Sequence, residues 1–464
     1  MIEQVLRTID SRRQDSLKGL MDLLRIPSVS TKPEHAADMT RCAGSLAETL
    51  SAAGLRASVE PTGGHPVVLA RNEHRPGRPT VLFYGHYDVQ PPEPLDLWTT
   101  PAFEPTVRDD GSGHRAVYAR GAVDDKGQVW CHVEAVRAWQ RHGGLPVNLV
   151  MLVEGEEECG SGHLEPFIRS HANDLRADVC VISDTNQFAR GVPAITCGLR
   201  GLIYTEVTVT GPSHDLHSGM FGGSVPNPAN VLCELLATLH DRDGRVNIPG
   251  FYDGVRSLSD AERREWAGLP FDDARSRRET GVAGEMGEAG FTTLERRWAR
   301  PTCDVNGLTS GYQGPGAKTI IPSKASAKVS MRLVPDQDPE TVYAAYEKAL
   351  RDRCPKTVKL DVVSFGHGAP AVLVPPDSPA MRLAAEAVEA GFGKRPTLIR
   401  EGGSIPIVAL IKSVLGMDTL LVGFGLPDDR VHSPDEKFDL DALHQGTRTA
   451  AVLYEKLARL NTNA

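Results

Sequence analysis

The 464-residue sequence predicts an α/β domain with a mostly parallel central sheet, interrupted by an inserted α+β domain. Three observations carry this. Short continuous apolar runs alternate with helical patterns at the start of the chain. The middle switches to alternating apolar and polar residues. The end returns to α/β character. A chain this long exceeds what one compact core normally serves, so two domains are expected. The boundaries read as 1–199 for the first part of the α/β domain, 200–372 for the insertion and 373–464 for the second part.

Each element has its own warrant. The opening "MIEQVLRTIDSRRQDSL" alternates charge with apolar residues and reads as an amphipathic helix. It lacks the uninterrupted apolar stretch of a signal peptide. "TVLFYG" (80–85), "VNLVMLVEG" (147–155) and "ADVCVISD" (177–184) are apolar runs that stop at polar residues, as strands buried on both faces do. Between the first two lies "KGQVWCHVEAVRAWQRHGG" (126–144). There Val129, Val133 and Val136 repeat at helical spacing, and Gly143 and Gly144 end the pattern. Strand, helix, strand implies a parallel pairing with a helical crossover.

In the middle, "GLIYTEVTVTG" (201–211) and "KASAKVSMRLVP" (324–335) alternate as strands of a half-solvated sheet do. "NPANVLCELLATLHDRDG" (227–244) offers Asn227 as N-cap and Pro228 at the first helical position. "PETVYAAYEKALRDRC" (339–354) is a second helix. The charged stretch 251–300 reads as short surface helices. At the end, "DSPAMRLAAEAVEAGFG" (377–393) is a helix, "MDTLLVGFG" (417–425) a strand and "DLDALHQGTRTAAVLYEKLARL" (439–460) a closing helix.

Composition narrows the function. The formal net charge is -9 and no long basic run appears, which argues against nucleic acid. The longest apolar runs, "LVMLV" and "IPIVALI", fall far short of the roughly 20 residues of a membrane span. Eight cysteines are scattered without a CxxC pair, which points to reduced thiols in the cytoplasm and gives no zinc–thiolate spacing.

Polar residues gather at predicted strand ends: His86 and Asp88, Asp124 and Asp125, Glu156 to Glu158, Asp184, and His432 after the strand near 420. Ligands bind at such carboxyl ends in open α/β sheets. Taken singly, each has an ordinary reading as a turn former, a helix cap or a solvated acidic loop. Converging carboxylates would repel one another, and burying them unpaired is costly, so a cation is implied. Histidines mixed with carboxylates suit zinc, or manganese as the more oxygen-loving alternative. One bridging carboxylate with two further ligands for each ion needs five groups, and five are available.

The stretches "GHYDVQP", "RGAVDDKG", "EGEEECGS", "HDLHSGMFGG", "GAKTIIPSKASAKVSMRLVP", "REGGSIP" and "VHSPDEK" together resemble the M20 family of metallopeptidases, and within it the cytosolic nonspecific dipeptidase and carnosinase branch. The resemblance runs over nearly the whole chain. It implies a zinc-peptidase-like catalytic domain interrupted by a lid and dimerisation domain. It also implies that His86 and Asp184 hold one divalent ion, that Glu158 and His432 hold another, that Asp124 bridges them, and that the peptide between Asp124 and Asp125 is cis. Asp88 would orient His86, and Glu157 would be the general base. From the insertion, His217 would stabilise the oxyanion in the other subunit of a homodimer, Thr319 would come from the partner too, and Arg332 would hold the substrate carboxylate. His367, Glu401 and Ser404 would be further substrate contacts.

The expected activity is hydrolysis of dipeptides or very short peptides. Other amides on the same fold stay open, namely N-acyl amino acids or the C-terminal residue of a longer peptide, because Arg332 suits each. A catalytically silent metal-binding protein is disfavoured by the intact Glu157. A metallophosphatase is disfavoured by the motif set as a whole.

Overall fold

A computed structural model describes residues 1–366, 368–403 and 405–460. The chain forms two compact units. The first comprises Met1–Cys197, Val374–Ile399 and Leu410–Ala464; the second comprises Gly198–Leu373 and Arg400–Ala409.

The first unit is built on a mixed sheet. Its strands run in the order Arg56–Glu60, Val67–Arg71, Asn148–Glu154, Thr80–His86, Val179–Ile182, Thr419–Leu421 and Ala194–Leu199. The centre is parallel: Thr80–His86 pairs on one side with Asn148–Glu154 and on the other with Val179–Ile182, which pairs in turn with Thr419–Leu421. Both flanks are antiparallel. Every residue of Asn148–Glu154 is buried, as its unbroken apolar run requires. The two outer strands and the helix Ala36–Ala52 were not expected from the sequence. Arg56–Glu60 exposes most of its length, so it carries no strand-like apolar signal.

Helix Lys126–Gln140 is almost wholly buried and packs against Leu440–Leu457, which in turn packs against Pro379–Phe392. A separate antiparallel sheet joins Lys437–Asp439, Arg115–Tyr118 and Thr106–Asp109. This small sheet, not the central one, delivers the chain to Asp124.

The second unit is α+β. Its antiparallel sheet has the order Thr302–Ser310, Lys324–Leu333, Gly201–Thr210 and Lys359–Ser364. Residues of Gly201–Thr210 alternate strictly between buried and half-buried. Helices Pro228–Ala237 and Pro339–Arg353 cover the buried face with Leu232, Leu235, Tyr346 and Leu350. Asn227 caps the first by accepting from the Ala229 N–H at 3.0 Å, and Asp338 caps the second by accepting from the Thr341 N–H at 2.8 Å. The stretch 251–300 contains the short helices Asp260–Ala267, Asp273–Thr280 and Thr293–Ala299.

Candidate metal centre

Three central strands end on polar side chains. His86 is the last residue of Thr80–His86, Asp184 follows Val179–Ile182, and Glu157 and Glu158 open a 3₁₀ turn after Asn148–Glu154. Asp124 precedes helix Lys126–Gln140, and the Asp124–Asp125 peptide is cis. His432 lies in the loop before Lys437–Asp439, with a left-handed φ of 62°.

These loops bring five side chains into two triads that share one member. His86, Asp124 and Asp184 form the first; Asp124, Glu158 and His432 form the second. Asp124 divides its two oxygens between them. Oδ1 lies 3.1 Å from His86 Nε2, and Oδ2 lies 3.0 Å from His432 Nε2. Asp184 Oδ2 is 3.7 Å from His86 Nε2, and Glu158 Oε2 is 3.2 Å from His432 Nε2.

The orienting contacts are specific. His86 Nδ1 donates to the Asp88 carbonyl oxygen at 3.1 Å and lies 3.4 Å from the Asp88 carboxylate. That fixes the proton on Nδ1 and turns Nε2 toward the carboxylates. Asp88 also accepts from the Glu158 backbone N–H at 3.0 Å, so one aspartate sets a member of each triad. Asp125, beside the shared Asp124, points elsewhere: its carboxylate accepts from the His86 N–H at 3.3 Å. The Lys126 ammonium donates not to its neighbours Asp124 and Asp125 but to the carbonyls of Ile26 at 2.7 Å and Leu23 at 3.4 Å. Glu156 is likewise outside the cluster. It accepts from His163 Nδ1 at 2.9 Å and from the His65 N–H at 3.2 Å, closing a neighbouring loop.

The electrostatics are those of an anionic site short of positive charge. Burial opposes charge on Asp124, but hydrogen bonds from His432 and His86 outweigh it and hold the carboxyl well below its usual range. Hydrogen bonds to Asp124 and Glu158 lift the His432 imidazole to about 10 against its partial burial. His86 is raised too: burial works against its charge, and Asp124 and Asp88 overcome that. Asp184 is pushed far upward, first by burial and then by Asp124 and Asp125. Glu157 is raised by burial; His86 opposes this, while Glu158, Asp124 and Asp88 add to it. Two imidazoles do not balance this many carboxylates, so the donor set fits divalent cations.

The remaining predicted residues lie in the second unit or outside the described residues. His217 pairs with Ile320 in a short ladder and caps Ser218–Phe221, its Nδ1 accepting from the Gly219 N–H at 3.0 Å. The proton is thereby placed on Nε2 of an exposed ring. Thr319 is adjacent: its carbonyl accepts from the Ser218 N–H at 3.0 Å. Arg332 is half-buried on Lys324–Leu333, and burial lowers its guanidinium somewhat. Glu401 ends the strand Thr397–Glu401. His367 and Ser404 lie outside the described residues. Gly402 has no side chain for a local reason: a Cβ there would stand 2.8 Å from Arg200 Nη2 and 3.2 Å from the Arg297 carbonyl.

Two residues of the centre escaped the sequence reading. Gln90 donates to Glu158 Oε2 at 2.8 Å. Glu436 accepts four hydrogen bonds from residues 120–124. Both stand inside stretches already quoted, "GHYDVQP" and "VHSPDEK", but an amide or carboxylate without a periodic or charge-cluster signature gives no signal by itself.

The family model for peptidase family M20/M25/M40 matches residues 82–456. The Cys-Gly metallodipeptidase of Schizosaccharomyces pombe is 32% identical over 479 residues, covering 99% of each chain. The Beta-Ala-His dipeptidase of Homo sapiens is 32% identical, covering 99% of this chain and 94% of that one. The crystal structure of human carnosine dipeptidase 1 superposes with a TM-score of 0.81 at 31% identity and 99% coverage of both chains. An M20 family metallo-carboxypeptidase from Sulfolobus solfataricus superposes at 0.84 with 31% identity, covering 96% of this chain and all of that one. Two triads that share Asp124 and this extent of similarity lead to one conclusion: the chain belongs to peptidase family M20/M25/M40.

Proposed function

We propose that the protein hydrolyses the peptide bond of dipeptides, with two zinc ions held by His86, Asp124 and Asp184 and by Asp124, Glu158 and His432. The observation that carries this is the division of the Asp124 carboxylate between two imidazoles at 3.1 and 3.0 Å. A pair of divalent ions so held supplies Lewis-acid polarisation and a water that loses its proton near neutral pH.

The rest is the work of the chain. Glu157, its carboxyl raised by burial, accepts the proton of the attacking water and returns it to the departing amine. Asp88 keeps His86 in the tautomer that leaves Nε2 free to bind. His217, with Nδ1 engaged by Gly219, presents Nε2–H as the donor for the developing oxyanion, and the family resemblance has it act in the other subunit. Arg332 takes the substrate carboxylate as a planar two-pronged donor; Thr319, His367, Glu401 and Ser404 complete the substrate contacts. The second unit serves as lid and dimerisation domain. Its edge strand Thr302–Ser310 exposes Val305 and Leu308, which suits a homodimer contact. The eight free cysteines fit a cytoplasmic protein. Among the described residues no helix is long and apolar enough to cross a membrane.

The similarity to the Sulfolobus carboxypeptidase supports a second reading, removal of C-terminal residues from longer peptides. One experiment separates them: metal analysis of the purified protein together with assays on dipeptides, tripeptides, longer peptides and N-acyl amino acids. Two ions per chain, with zinc or manganese identified, and turnover confined to dipeptides are expected. Glu157→Gln should lower kcat by about 10²–10⁴-fold with both ions retained. Absence of bound metal, or full activity of that variant, rejects the reading; turnover of long peptides favours the carboxypeptidase.

A further inference from the structure

Glu436 is fully buried, four residues beyond His432, and every hydrogen bond given to its carboxylate comes from the loop that leads into Asp124. Oε2 accepts from Arg120 Nη1 at 2.8 Å and from the Gly121 N–H at 2.9 Å. Oε1 accepts from the Val123 N–H at 3.0 Å and from the Asp124 N–H at 3.2 Å. The backbone of Glu436 adds a fifth contact, its carbonyl accepting from the Ala119 N–H at 3.1 Å. The following strand continues the register, Lys437 opposite Tyr118 and Phe438 opposite Val117. Residues 120–124 are thus wrapped around a single side chain.

The other end of Glu436 belongs to the loop that carries His432. That loop is closed on itself: the Lys437 N–H donates to the Asp429 carbonyl at 3.0 Å, Lys437 Nζ reaches the Asp429 carboxylate at 3.0 Å, and Asp429 accepts from the Leu426 N–H at 2.6 Å. His432 and Asp124 therefore ride on two loops joined through one carboxylate. An acceptor-only group facing four donors has no equivalent among neutral residues. A glutamine turns one pair of acceptor sites into donors that oppose N–H groups, which leaves buried donors unsatisfied.

We propose that Glu436 is the positioning residue of the centre: it fixes the backbone of Asp124 relative to His432 and so sets the affinity of both triads for metal. The inference rests on the two-ion reading above and deepens it. Because Asp124 is common to both triads, loosening it weakens both sites together. Arg120, which also donates to the Pro91 carbonyl at 3.2 Å, neutralises the carboxylate and leaves the three backbone contacts in place without it.

The test compares wild type, Glu436→Gln and Arg120→Lys by zinc binding in a competition titration, with unfolding midpoints measured on metal-free protein. Amide exchange over residues 120–125, also without metal, reports the clamp directly. Wild type should bind two ions. Glu436→Gln should bind both about 10–100-fold more weakly, the usual effect of removing a partner that orients ligands, and should exchange amides 121, 123 and 124 at least tenfold faster. Arg120→Lys should lose stability while its zinc affinity stays within about threefold, because the backbone contacts remain. Should Glu436→Gln fail to fold, the double variant Arg120→Met with Glu436→Gln removes the buried charge pair together and is read in its place. Unchanged zinc affinity in a folded Glu436→Gln protein overturns the inference alone, and so does a loss in Arg120→Lys equal to that in Glu436→Gln. A wild type that binds no zinc overturns the two-ion reading and this inference with it, and unaltered amide exchange independently removes the clamp.

Discussion

His132 shows what burial does to one side chain. It stands on helix Lys126–Gln140 with Nδ1 2.8 Å from the Tyr454 hydroxyl and Nε2 2.8 Å from the Ser183 hydroxyl, against the ring of Phe83. Burial lowers the imidazole to about 3. The unfolded chain takes up that proton near pH 6.5, the folded chain only near 3. The unfolded state therefore binds more protons between these values, and the neutral ring favours the native state above pH 6.5. That contribution is lost progressively as pH falls from 6.5 toward 3. Thermal unfolding of wild type should fall more steeply than that of His132→Gln between pH 7 and 5; parallel slopes would exclude the assignment. The same histidine also shows how little a single position reveals. His132 lies within a helical pattern and His86 ends an apolar run beside Asp88, and that setting, not the residue type, separates a packed core group from a member of an anionic cluster.

Among the elements, several helices and central strands were legible because their residues repeat. Val129, Val133 and Val136 marked Lys126–Gln140, and the apolar run of Asn148–Glu154 marked the sheet's interior. The small sheet of Thr106–Asp109, Arg115–Tyr118 and Lys437–Asp439 was not, since Lys437–Asp439 pairs with a strand more than 300 residues before it and each strand is too short to show a period. Thr302–Ser310 was also missed. As an edge strand it exposes Asp304, Val305 and Leu308, so its pattern reads as surface. Unpaired edges with apolar side chains invite a partner chain. If this strand joins two copies, Val305→Lys with Leu308→Asp should convert a dimer into a monomer by sedimentation analysis. Persistence of the dimer would move the interface elsewhere.

At the scale of the whole molecule, the sequence fared best where chemistry and topology coincide. Five candidate metal-binding positions from distant segments could be named because each ends a recognisable strand or sits in a motif of the family, and the chain brings all five together. The supports of those ligands were silent. Glu436 holds backbone N–H groups and Gln90 a single carboxylate oxygen, contacts that no side-chain pattern encodes. The two triads also differ in one respect that bears on handling the protein. His86 keeps 1% of its side chain in contact with solvent, whereas His432 keeps 54%. An ion leaning on the open imidazole meets water and chelator first, so loss under dilute chelator should be stepwise. On the proposed two-ion reading, an ion held by Glu158 and His432 should depart early and one beside His86 should linger, leaving a half-loaded species visible by native mass spectrometry.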